Sequence, residues 1–586
     1  MEPFIRERRI KGLHELHKAF ESFSITSKAI FLVAFAVFAG SVLSLTVKAS
    51  GHFMVDVPHR GGTLVEGVVG TPRFINPLLA SSDADRDLVA LVYSGLLKAT
   101  PDGGYVNDLS ESFTISDDGL LYSFTIRKDA VFHDGEPLTA DDIEFTVLKA
   151  QDSTLKSPRR VSWEGVTVEK KGTHEIAFRL KQPYAPFIGN LSLGILPRHI
   201  WQSYSSDQFP FSSSNVDAIG SGPYRISSIQ RAADGLPTSY SLSANKKYTA
   251  GEPYISRIVV RFYASDNALM NALRSKEIES ASNLGPTAGN EAIAGERLMR
   301  APYTRVFGIF FNHNQREILT HKEARKALDA AIDKQNIVEN VLKGFATVAD
   351  GPLPPALSGS EEASMATRPD QISNIEDAQA LLIKGGWKMD PETGIFGYKT
   401  NKTTATTTLS LSLATANVPE LVEAARHIEE NWKAIGAEVD VKVFEPTDLN
   451  QAVIRPRKYD ALLFGIVTGK NPDLYAFWHS SQRNDPGLNI ALYTNSKADN
   501  ILTRMRQATD SSTFQGDYAA FAAEVAADTP AIFLWSPDFI YAVPDRLQGV
   551  ELGQITTPSD RFQGVEKWHL SKERVWKIFA ITNIRK

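Results

Sequence analysis

Asp83, Asp85 and Asp87 carry the spacing of the first half of a calcium loop. Leu88 stands where that loop needs glycine and Ser94 where it needs a bidentate glutamate, so no calcium site is expected. The chain contains no GxSxG, no HExxH and no GxxxxGKS or GxxxxGKT string, the signatures of nucleophilic hydrolysis, zinc hydrolysis and nucleotide binding. His14 and His17 miss the spacing that puts two imidazoles on one helix face. His133-Asp134-Gly135 and Trp478-His479-Ser480 set a histidine beside an oxygen without an identifiable third partner. Cysteine is absent, which excludes thiolate metal sites, disulfides, cysteine nucleophiles and a lipidated cysteine anchor. No cofactor and no metal are expected, and the chain reads as a binder rather than an enzyme. The residues suited to binding lie in two short loops, 414–417 and 468–473. They offer Thr415, Asn417, Thr468, Asn471 and Asp473, followed by Tyr475, Phe477 and Trp478. Polar groups beside aromatic walls suit a small amphipathic ligand.

The elements that must position these loops follow from hydrophobic periodicity. Leu409, Leu411 and Leu413 alternate as in a strand, 419–435 reads as a helix stopped by Gly436, and Val439, Val441 and Val443 alternate again. Strand, helix and strand make a βαβ unit with a right-handed crossover. A further helical segment near 447–454 leads to 459–467 (YDALLFGIV), a continuous apolar run suited to a strand buried on both faces. An open parallel sheet is expected, and ligands of such sheets bind beyond the carboxyl ends of the strands. That rule selects the two loops. Upstream, alternation over 122–127, a turn at Asp134-Gly135 and a helix start at Thr139 with Asp142 predict an α+β region. Similar helix starts are expected at Thr320 with Glu323 and at Ser373 with Glu376, the latter helix ending at Gly385.

At 586 residues the chain is expected to form several domains. Its 42% hydrophobic and 22% charged residues are ordinary for a folded protein. A net charge of -5 leaves no basic surplus for phosphates, so nucleic acid is not an expected partner. Residues 29–47 are free of charge and flanked by Lys28 and Lys48; at helical rise they reach about 28 Å, near the hydrocarbon thickness of a bilayer. Six basic residues precede or bound this run against four acidic ones, which keeps 1–28 cytoplasmic and sends the body outward. A single-pass signal anchor at the cell membrane, with a tether over 48–60, is the expected reading. Cleavage after Ala49, as in a signal peptide, is its competitor. Ile10, Leu13, Leu16 and Phe20 add helical spacing over 4–23, as for a helix along the inner leaflet.

Longer strings carry a likeness. They are GGTLVEGVVGTPRFINPLL from 61, LSESFTISDDGLLYSFTIRKDAVFHDGEPLTADDIEFT from 109, GSGPY from 220, NKKYTAGEPYISRI from 245, RKALDAAIDKQNIV from 325, NPDLYAFWHSSQ from 471 and NIALYTN from 489. In this order they closely resemble family five of the extracellular solute-binding proteins, the peptide and nickel class that serves ABC importers. The resemblance implies an α/β, two-lobed periplasmic-binding-protein-like fold, type II in its three-domain variant. Lobe I would comprise 61–85, 217–310 and 545–586, an inserted α+β domain 86–216, and lobe II 311–544. It also implies a monomer that captures peptides by hinge closure and delivers them to permease subunits. An oligosaccharide or metal chelate in the same fold, or a tethered hydrolase, are the alternatives. Peptide-binding members hold the peptide amino group with an Asp ahead of a D-P-D motif. Here the motif reads Asn471-Pro472-Asp473 and the Asp position falls on Thr468, so a ligand recognised without its amine is a serious variant. By the same resemblance Phe74 and Asn76 approach the cleft. The expected ligand-binding residues are Phe74, Asn76, Thr415, Asn417, Thr468, Asn471, Asp473 and Trp478.

Overall fold

The computed structural model describes residues 20–290, 296–358, 375–399, 406–508 and 511–577. It divides into two compact units, one of residues 1–59 with 571–586 and one of residues 60–570.

In the first unit, helix α1 (Ile25–Phe53) is 29 residues long. Its stretch Ile25–Thr46 has mean hydropathy 2.3 and no buried residue, so by length and composition it can cross a membrane. The span expected as a tether, 48–60, carries regular structure. The helix runs on to Phe53, and Met54–Pro58 pairs antiparallel with Lys572–Trp576, Met54 facing Trp576 and Pro58 facing Lys572. Val55, Val57 and Val575 supply the β-branched residues of this ribbon, and Arg574 lies 3.5 Å from Asp56 across it. Residues 571–577, within the span expected in lobe I, therefore group with the amino-terminal unit. Most of the segment expected as an inner-leaflet helix, together with Ser373, lies outside the described residues.

The second unit is organised on a twelve-stranded sheet among the described residues: β1 (Thr63–Val69), β2 (Tyr224–Arg231), β3 (Pro237–Ala244), β4 (Arg257–Tyr263), β5 (Ser280–Ser282), β6 (Glu296–Pro302), β7 (Arg305–Phe311), β8 (Ser410–Ala416), β9 (Glu438–Phe444), β10 (Ala461–Val467) and β11 (Ala531–Pro544), with the short strand Ala346–Val348 paired antiparallel to β11. They join in the order β9-β8-β10-β7-β11-β5-β1-β4-β3-β2, with β6 also on β11. The expected βαβ unit is present. Between parallel β8 and β9, helix Pro419–Ala434 has proline in its first turn and buries Leu421, Ala424, Ala425, Ile428 and Trp432. Gly436 ends it in the left-handed region at φ +92. The sheet is mixed rather than parallel, because β7 runs antiparallel to both β10 and β11. β7 enters from the other half of the molecule, which reverses its direction.

The chain passes between the halves in two places. One is Tyr303-Thr304, between β6 and β7. The other lies inside β11, where pairing moves from β7 at Trp535 to β6 at Asp538. Tyr303 N–H donates to the Pro537 carbonyl at 3.0 Å, and the Ser536 hydroxyl donates to the Tyr303 carbonyl at 3.2 Å. The passages expected near 310 and 544 thus fall at 303–304 and 536–537. One buried apolar cluster holds β7 to β10 and the first part of β11; a separate one holds β1 to β4 and the inserted region. Two cores meeting at two strand crossings are the architecture of rigid bodies that rotate about a hinge.

Inserted between β1 and β2 is a four-stranded antiparallel sheet in the order Ser110–Ile115, Leu121–Ile126, Glu175–Arg179, Thr167–Gly172. The helix Ala140–Gln151 starts as expected, with Asp142 accepting from Thr139 N–H at 2.9 Å. Thr320 does not cap the next helix; its hydroxyl donates to the Glu317 carbonyl at 2.7 Å, and Lys322–Ala330 begins behind His321. The helix Ile375–Lys384 closes with Gly386, φ +85, in the left-handed conformation expected of Gly385.

The aspartates with calcium-like spacing are structural, on or beside helix α2 (Asp83–Val92). Asp85 accepts from Arg73 N–H at 2.6 Å and Phe74 N–H at 2.9 Å, folding the 72–77 turn onto the helix. Asp87 accepts two bonds from Arg561, at 2.8 and 2.6 Å, while Arg561 Nε donates to Glu66 at 3.0 Å. Tyr541 and Ser280 hydroxyls complete Glu66. Arg561 and Glu66 are 0% exposed and Asp87 1%. Burial pushes the Asp87 carboxyl up to about 6, against the pull of Arg561.

The two glycines of GSGPY permit a close approach. A Cβ on Gly220 would stand 2.2 Å from the Val92 carbonyl oxygen, and one on Gly222 would stand 2.6 Å from the Val92 carbonyl carbon. His133 clasps this crossing. Gly220 N–H donates to its Nδ1 at 3.3 Å, which leaves Nε2–H to donate to the Gly222 carbonyl at 3.1 Å. That pattern needs neutral imidazole, and burial lowers its pKa from 6.5 to about 4. The unfolded chain therefore takes up this proton first as pH falls. Stability is unaffected above about pH 6.5 and is lost progressively down to about pH 4. Urea titrations at pH 7.5 and 4.5 are expected to show His133→Gln losing about 2 kcal/mol less than the parent on acidification. Equal losses would mean that the imidazole is protonated in the folded state.

Candidate functional site

A cavity of about 1020 Å³ lies where the two lobes and the inserted region face one another. The loop after β10 forms one wall: Thr468, Gly469, Lys470, Asn471 and Asp473 all line it. Tyr105, Lys181 and Tyr184 come from the inserted region, and Thr556, Asp560 and Gln563 from the carboxyl-terminal part of lobe I.

Side chains meet across this cavity. Tyr184 donates to Asp473 at 3.3 Å, Asn471 donates to the Tyr105 hydroxyl at 3.1 Å, and Lys470 donates to Gln563 at 2.9 Å. Arg506, at the end of the helix Ser496–Gln507, pairs with Asp473 at 3.0 Å. Its guanidinium lies 5.1 Å from the Tyr184 ring centre and 4.5 Å from that of Tyr475, a cation held between aromatic faces. Burial raises the Asp473 pKa, opposed by Arg506 and Tyr184. Asp473 Oδ1 and Arg506 Nε have no hydrogen-bond partner among the described residues. Acceptor and donor capacity is therefore left over inside the pair.

Of the expected ligand-binding residues, the cavity brings together Thr468, Asn471 and Asp473. Thr468 turns both its N–H and its hydroxyl to the Thr304 carbonyl, at 2.9 and 3.2 Å, and so ties the loop to the crossing. Thr415, Asn76 and Trp478 belong to the packed interior instead. Thr415 donates to the Leu463 carbonyl at 3.3 Å. Asn76 bonds Asn215 at 3.1 Å and accepts from Leu78 N–H at 2.9 Å. Trp478, 1% exposed, packs against Phe310, Tyr493, Phe521 and Phe533. Asn417 is exposed and bonds Glu445 at 2.7 Å. Phe74 is half-buried against lobe I and under Arg73. The reason is topological: β10 is the neighbour of the crossing strand β7, whereas β8 stands one place further out, so only the β10 loop reaches the cavity. Lys470 was readable in the same loop. Tyr105, Tyr184 and Arg506 come from distant parts of the chain and carry no local signal.

Two rigid halves joined by two strand crossings, with a polar and aromatic cavity between them, define a two-lobed binding protein of the type II periplasmic class. Residues 104–487 match the family model described as bacterial extracellular solute-binding proteins, family 5 middle. The chain belongs to that family. It is 29% identical over 549 residues to the oligopeptide-binding protein AppA of Bacillus subtilis, covering 92% of this chain and 98% of that protein. The solved structure of B. subtilis AppA in complex with a nonapeptide superposes with a TM-score of 0.68 over 88% of this chain and all of that one, at 29% identity. NikZ of Campylobacter jejuni, in complex with Ni(L-His), gives a TM-score of 0.69 at 25% identity, covering 86% of this chain and 99% of its own.

Proposed function

We propose that the chain is the membrane-tethered, extracytoplasmic substrate-binding component of an ABC importer, which captures peptides by closing its two lobes and hands them to permease subunits without altering them. The observation that carries this reading is the cavity at the double strand crossing. At about 1020 Å³ it stands at the upper end of small-molecule pockets, roughly 300 to 1,000 Å³, room for several residues of extended peptide. Thr468, Asn471 and Asp473 are the proposed ligand contacts, with Lys470 and Tyr184 beside them. Thr468 brings no charge for an ammonium group, and the Asp473 carboxylate is already paired with Arg506. Recognition would then rest on hydrogen bonds to the peptide backbone and on its carboxyl end, a mode that tolerates many sequences. A small carboxylate chelate of a metal is the second reading, favoured by the cationic side chains around the cavity.

Helix α1 serves as the anchor in this proposal, with 1–28 on the cytoplasmic side and the body outside. Native mass spectrometry of the full chain released from detergent micelles tests the whole. Adducts with peptide masses, and peptides recovered uncut after incubation, are expected. Shortened products would make it a hydrolase, and adducts of another class would replace the peptide reading.

A further inference from the structure

A second chamber, of about 400 Å³, adjoins the cavity and shares Arg159, Val467, Thr556 and Thr557 with it. Its charged walls are Arg86, Arg159 and Arg305 against a single acid, Asp83. The three arginines come from different bodies: Arg86 from helix α2, which packs on β1, β2 and the 558–562 turn of lobe I although residue 86 was expected to open the inserted domain, Arg159 from the inserted region and Arg305 from the first residue of β7 in lobe II. Asp83 is used by Arg86, at 3.0 Å. Arg305 Nε is buried without a hydrogen-bond partner among the described residues, the guanidinium lying 4.9 Å from the Tyr303 ring centre. No hydrogen bond or ion pair engages the Arg159 guanidinium among the described residues.

Bringing lobe II onto the other two bodies thus drives uncompensated cations together, a repulsion that grows as water is excluded. Guanidinium forks fit planar or tetrahedral oxyanions in bidentate fashion. We propose that this chamber is an anion subsite: a carboxylate or phosphate group of the solute enters it, bridges Arg159 and Arg305, and makes closure favourable only for an anionic ligand. The proposal rests on the solute-binding reading above and adds the chemical class of the solute.

The test uses the full chain in detergent micelles and calorimetric titration with random pentapeptides supplied as free acids, as carboxyl-terminal amides, and as amides carrying one phosphoserine. Free acids are expected to bind roughly tenfold or more tightly than amides. Recovery of binding by the phosphoserine amides makes phosphate a second source of the anion, and its absence confines the subsite to carboxylates. Joint Arg159→Gln and Arg305→Gln replacement is expected to erase the acid preference while leaving amide affinity in place. Acids and amides binding alike, or a doubly substituted protein that still discriminates, would overturn the subsite. If no peptide pool binds, the peptide reading alone has failed, and citrate and inorganic phosphate decide: saturable binding lost in the double variant sustains the subsite, and its absence overturns it.

Discussion

Arg561→Met is expected to lower the unfolding free energy by about 3 to 5 kcal/mol, the range for removing one partner of a fully buried ion pair. The loss is large because Glu66 and Asp87 stay behind at 0% and 1% exposure with no other cation within hydrogen-bond reach among the described residues. Urea denaturation of the full chain measures it. At pH 5 the deficit should shrink, because Asp87 titrates near 6 even with its partner present and protonates more readily without it. Replacing all three groups by apolar residues of similar volume is expected to restore most of the stability, since desolvation offsets most of what the ions gain from one another. An Arg561→Met protein as stable as its parent would mean that water reaches the two carboxylates.

Breaking the Asp473–Arg506 pair should act on residence time rather than on folding. The pair spans the cavity wall and reaches Tyr184 of the inserted region. Arg506→Met is expected to speed ligand release by roughly 30-fold or more, about 2 kcal/mol, with little change in association, as for truncated buried charge pairs at interfaces. Stopped-flow release of a fluorescent pentapeptide pool gives the rate. Asp473→Asn alone and combined with Arg506→Met completes a double-mutant cycle, in which a coupling near zero would show that the pair does not hold the closed form.

Much of lobe II was legible in the sequence because its signals are local. Pro419, the apolar stripe to Trp432 and Gly436 delimit one helix, and the leucines and valines on either side alternate as strands. Strand direction was not legible: nothing in RVFGIFF shows that it lies antiparallel to β10, since pairing depends on where the chain last crossed between lobes. For the cavity, the sheet-end rule found the loop bearing Thr468, Asn471 and Asp473, and it also picked Thr415 and Asn417 on a strand one place too far out. Trp478 looks like a pocket wall in sequence because it follows polar residues, yet four aromatic neighbours enclose it. Arg506, Tyr184 and Arg305 gain their roles only through tertiary proximity, which no local pattern encodes.

β11 belongs to both halves of the sheet, and its pairing with β7 slips by one residue between Phe307 and Gly308, close to the place where the strand changes partner. Pro302 and Pro537 lack N–H groups there, thinning the ladder where bending is needed. Two short straps side by side behave as a flexural pivot: they yield readily about one axis and resist twist and slide about the others. The stroke of such a device is set by its backbone rather than by its cargo. On the proposed function, solutes of different size would be accommodated by filling or emptying the interior with water, so that a permease would meet the same outer contour whatever lies within.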